Sequence, residues 1–87
     1  MKFEYDPKKS KSNKEKHGVD FEEIQRLWDG VVKEIPTISN GEPRWFVFGE
    51  IDGKVWVTLI TRRGLATRIF SARRANRRER EKIYEQG

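Results

Sequence analysis

Asp52-Gly53, set between the β-rich runs 44–51 and 54–61, constrains the fold of this chain more than any other feature. Asp-Gly between two such runs signals a two-residue hairpin of type I′, whose central residues both need positive φ. Fixing the turn fixes the pairing: Gly49 falls opposite Trp56, Phe48 opposite Val57 and Phe46 opposite Leu59. Alternation along the strands then puts Phe46, Phe48, Val55, Val57 and Leu59 on one face, and Trp45, Val47, Trp56 and Ile60 on the other. Both faces are apolar, so these strands are expected at the centre of a sheet covered on each side.

The flanking segments read as the rest of an α+β domain. Lys2-Phe3-Glu4-Tyr5 alternates as a short edge strand. Asp6-Pro7 supplies an N-cap and a proline at the first helical position, and Gly18 closes that helix after His17. Five lysines and no large apolar residue lie between Pro7 and His17, so this helix has no apolar stripe of its own. Asp20 and Glu23 form a capping box for a second helix, with Phe21, Ile24, Leu27 and Trp28 on its buried face and Gly30 as its stop. A strand over 31–35, a polar loop over 36–43 turning at Asn40-Gly41, and a last strand over 65–70 follow. Ser71 is expected to cap a C-terminal helix ending at Ile83 and Tyr84. The expectation is a mostly antiparallel sheet with two N-terminal helices and one C-terminal helix, in a single domain over 1–87.

Charge is distributed unevenly along that order. Residues 1–19 carry six basic and three acidic side chains (+3), 20–60 four and eight (−4), and 61–87 nine and three (+6), which sum to the net +5. Two basic ends that meet in space make a surface suited to phosphate backbones. With one histidine and no cysteine, neither a metal site nor a disulfide framework is expected, and no cofactor. Met1-Lys2-Phe3 runs into charged residues and no segment approaches the length of a membrane span, so the expected compartment is the cytoplasm, with no membrane partner. Phosphate loops and the G-x-S-x-G elbow are missing.

RNA cleavage by the substrate's own 2′-hydroxyl fits what is left. It needs a base, an acid and positive charge around phosphorus. Arg73, Arg74, Arg77 and Arg78 read as the first turns of the C-terminal helix, where they oppose its dipole; an anion held there would explain them. Arg68 on the preceding strand, and Lys16 with His17 at the end of the first helix, are the other candidates. A non-catalytic subunit that binds nucleic acid or a partner through the same basic face is the competing expectation.

Phe3-x-Tyr5-Asp6-Pro7, Asn13-x-x-Lys16-His17-Gly18-Val19-x-Phe21-Glu22-Glu23, Glu42-x-Arg44, and Arg68-Ile69-Phe70-Ser71-Ala72-Arg73-Arg74-Ala75 with Glu79 and Tyr84 together resemble the BrnT toxins of bacterial type II toxin–antitoxin systems. The resemblance implies a RelE-like fold and a ribonuclease that cuts RNA and blocks translation and growth. It also implies a BrnA-like antitoxin, two toxins assembling with two antitoxins, and contact with DNA only through the antitoxin. Carried onto this chain, the family's basic cleft would be built from Lys16, His17, Arg44, Arg68, Arg73 and Arg74, of which Lys16, His17, Arg68, Arg73 and Arg74 are the candidate catalytic residues, working without a metal. Arg44 is a candidate RNA-binding residue, and the charge pattern adds Arg62, Arg77, Arg78 and Lys14.

Overall fold

The computed structural model describes residues 1–84. Its sheet has five strands: β1 (Lys2–Glu4), β2 (Lys33–Ser39), β3 (Glu42–Ile51), β4 (Lys54–Arg63) and β5 (Ala66–Arg74), in the spatial order β1-β5-β4-β3-β2. All pairs are antiparallel except β1 with β5. Two α-helices, α1 (Pro7–His17) and α2 (Arg77–Tyr84), and a 3₁₀ helix over Glu23–Asp29 complete an α+β domain. No helix among the described residues is long and apolar enough to cross a membrane.

The central hairpin forms as its turn requires. Asp52 and Gly53 take φ of 51° and 78°, and Gly49 pairs with Trp56, Phe48 with Val57 and Phe46 with Leu59. Each face has its own core. Val47 and Ile60 meet Val19, Phe21, Ile24 and Leu27 beneath α1 and the 3₁₀ helix; Phe48, Val55 and Val57 meet Ala75, Ile83 and Tyr84 beneath α2.

Three local expectations fail, each for a physical reason. The second helix is 3₁₀ rather than α. Ile24 and Leu27, three apart and both fully buried, are stacked on one side by three residues per turn, with the buried Phe21 just ahead of the helix. The capping box itself forms: the Asp20 carboxylate accepts from the Glu23 N–H at 2.7 Å, and Glu23 accepts from the Asp20 N–H at 3.0 Å.

The polar loop over 36–43 is mostly strand. β2 runs through Pro36 to Ser39 and turns at Asn40-Gly41, both at positive φ, straight into β3. Proline is tolerated because β2 is an edge strand, where a missing N–H can face solvent.

The third correction moves the arginines. β5 continues to Arg74, so Ser71 caps nothing and Arg73 and Arg74 do not stand in the first turns of a helix. β4 is long enough to carry them, pairing Val57 with Arg73 and Trp56 with Arg74. α2 begins at Arg77 behind a second capping box, in which the Asn76 side chain accepts from the Glu79 N–H at 2.8 Å and Glu79 from the Asn76 N–H at 3.0 Å. Arg73 and Arg74 therefore oppose no dipole, and Glu79 supplies the favourable charge in the first turn of α2.

Candidate functional site

β5 arranges the basic residues, and a bulge decides which way each one faces. Leu59 pairs with Ser71 while Ile60 pairs with Ile69, leaving Phe70 as an extra residue on β5. Arg68 and Arg73, five apart, would face opposite sides of a regular strand; the bulge returns Arg73 to the face of Arg68. Arg74 is turned to the other face, with α1.

On the α2 face, one row crosses the sheet. Thr37 pairs with Arg44, Thr61 with Arg68, and Arg68 with Glu4, and the β3–β4 register continues to set Arg44 opposite Thr61. The Arg44 guanidinium lies 4.0 Å over the Phe70 ring, with its Nε buried and without an acceptor. Its nearest carboxylate, on Glu42, is at 3.7 Å, and Glu4 stands 3.9 Å from Arg68. Both are ion pairs beyond hydrogen-bond reach. Arg73 differs, because Glu79 grips it through two bonds of 2.7 and 2.8 Å. That pairing holds the Glu79 carboxyl below the usual carboxylate range and raises the Arg73 guanidinium.

The other face carries a second group, assembled by Asn13. β1 pairs with β5 only as far as Arg68, leaving the β5 edge open beyond it. The buried Asn13 amide closes that edge like a one-residue strand: it donates to the Ala72 carbonyl at 2.8 Å and accepts from the Ala72 N–H at 3.2 Å. A further bond to the Val19 carbonyl, 2.7 Å long, ties the chain beyond α1 to the same point. Lys16 and His17 follow Asn13 by three and four residues, so they rise from the same side of α1, one turn further towards the Arg74 end of β5. Gly18, next in sequence, borders a cavity together with Trp56, the pairing partner of Arg74. Lys16, His17 and Arg74 are all exposed, and none has an acidic partner among the described residues.

The remaining candidates are placed less suggestively. Lys14 is held by Glu23 at 2.8 Å, which raises its ammonium and lowers the carboxyl. Arg62 pairs with Glu34 and lies 4.8 Å over Trp45, on the face opposite Arg44. Arg77 pairs with Glu81 one turn along α2, and Arg78 is exposed. Sequence reasoning missed Asn13 and Glu79 as the residues that position this site. The N-x-x-E spacing of Asn76 and Glu79 was the legible signal for the second; for Asn13 there was none in the residues alone.

A sheet with helices on both faces and cations gathered along one strand defines a small basic α+β protein. The family described as "Ribonuclease toxin, BrnT, of type II toxin-antitoxin system" matches residues 5–79, and the chain belongs to that family. No curated protein matches it.

Proposed function

We propose that this chain is a metal-independent endoribonuclease of RelE-like fold that cleaves cytoplasmic RNA, arrests translation and growth, and is neutralised by a BrnA-like antitoxin in an assembly of two toxins with two antitoxins. The observation that carries the reading is the Asn13–Ala72 contact that ties α1 to β5: Lys16 and His17 follow Asn13 on α1, Arg74 ends β5, and all three are exposed without an acidic partner among the described residues. Together they supply what 2′-hydroxyl attack requires. Lys16 and His17 divide the proton transfers, one accepting the 2′-hydroxyl proton and the other protonating the 5′-oxygen as its bond to phosphorus breaks. Arg74 balances the charge that builds on the phosphoryl oxygens, leaving a 2′,3′-cyclic phosphate and a free 5′-hydroxyl. Arg68 and Arg44, on the opposite face of the sheet, attract a more distant stretch of the RNA backbone, and Arg78 extends the attraction. Arg73 acts through Glu79, keeping the end of β5 in place.

The test is cleavage of a defined RNA in excess chelator. The parent is expected to cut, while Lys16→Ala, His17→Ala and Arg74→Ala each slow cleavage by about 100-fold or more. Undiminished cutting by all three variants would remove the site, and loss of parental activity in chelator would remove the metal-free mechanism. A protein that binds RNA but never cuts it, and whose expression leaves growth unchanged, would be a binding subunit instead.

A further inference from the structure

We propose that Trp56 and Arg74 form a clip that takes one nucleobase of a single-stranded RNA, beside the phosphate held at the end of β5. The inference rests on the ribonuclease reading for its ligand, but not for its geometry. A cavity of about 420 Å³ opens between the end of α1, the 3₁₀ helix and the β3–β4 hairpin. Val19, Ile51 and Trp56 give it an apolar floor. Glu23, Lys54 and the Arg26–Asp52 pair, whose two bonds are 3.1 and 3.0 Å, complete its lining; Arg74 stands outside that lining and meets it through the Trp56 ring. A flat aromatic floor with both donors and acceptors at its edge suits a heterocycle with polar edges, not an aliphatic side chain.

The spacing of the clip points the same way. Arg44 stacks on Phe70 at 4.0 Å, a closed contact, whereas Arg74 stands 5.6 Å from the Trp56 ring. A base sandwiched between the two needs about 7 Å, twice a van der Waals contact of about 3.5 Å. The exposed Arg74, with no carboxylate holding it among the described residues, breaks no ion pair when a base displaces it from the Trp56 ring. One nucleotide can then place its base on Trp56 and its phosphate against Arg74, Lys16 and His17. The same residues favour unpaired RNA, because a base within a duplex enters only at the cost of unstacking and unpairing.

Titration followed by the Trp56 indole N–H resonance reads this directly. The probe is a short 2′-O-methyl oligoribonucleotide, which cannot be cut, compared with an abasic oligomer of the same length. The base-bearing oligomer is expected to shift the Trp56 resonance and the abasic one to leave it in place. Arg74→Leu, an exposed substitution, should weaken the base-dependent binding by about ten-fold. Equal shifts from both oligomers, or none from either, would overturn the clip. Cleavage measured separately keeps the two ideas apart: a parent that cuts RNA without any Trp56 shift loses only the clip, and one that shows the shift but never cuts loses only the ribonuclease reading.

Discussion

Asn13 shows how much one side chain can decide. Its amide makes three bonds to backbone groups 6 and 59 residues away, all buried. Removing it leaves the Ala72 N–H and two carbonyls facing a gap that no strand fills, the costly half of hydrogen-bond energetics. Asn13→Ala is therefore expected to lower stability by about 2–4 kcal/mol, measured by urea unfolding, and to loosen the position of Lys16 and His17. Phe70 acts at the same scale by different means. As the extra residue of the bulge it re-aims Arg73 and Arg74, and its ring carries Arg44. Arginines at fixed spacing on a strand could be counted in the sequence. Which face each took could not, because a bulge inverts the parity of every residue after it.

At the scale of elements, the hairpin and both N-terminal caps were legible, since turn and cap chemistry is local. The 3₁₀ helix was half legible: its apolar residues fit a helix of either kind, and close packing on the sheet selected the tighter one. Gly49 marks that packing. A Cβ there would come within 3.0 Å of the Leu27 Cδ2 and 3.4 Å of the Val32 Cγ1. Gly49→Ala is expected to push the 3₁₀ helix outward and cost about 1–3 kcal/mol, seen as a lowered unfolding midpoint.

α2 depends on a different contact, the paired bonds between Arg73 and Glu79. Arg73 depresses the Glu79 carboxyl below its ordinary value of 4.5, so this stabilisation is complete above that value and is lost as pH falls through the depressed one. The parent should exceed Glu79→Gln by about 1 kcal/mol at pH 7, a bidentate pair discounted for partial exposure. The gap should narrow below pH 4.5 and close in stronger acid, as thermal midpoints across pH would show.

For the whole molecule, the two basic ends of the chain do meet, a pairing that charge by itself does not dictate. The basic first helix lies along the basic last strand, joined through Asn13 and Ala72, while acidic residues of the middle segment neutralise Lys14, Arg26 and Arg62. If Lys16, Arg44, Arg68 and Arg74 each meet a phosphate, binding to single-stranded RNA should weaken with salt at a log–log slope of about −3, and Arg44→Ala should reduce that slope by about 0.7. The arginine run that reads from sequence as one helix end is divided by the fold among three settings: the far face of β5, the edge beside α1, and the surface of α2. What the sequence determined alone was local: the Asp-Gly turn, the register it imposes, the two apolar faces and the caps at Asp6 and Asp20. Those rest on contacts between near neighbours in the chain. Tertiary structure decided how far β5 runs and which way its arginines point, because a strand's length and parity depend on a partner strand and an edge-capping side chain that are remote in sequence.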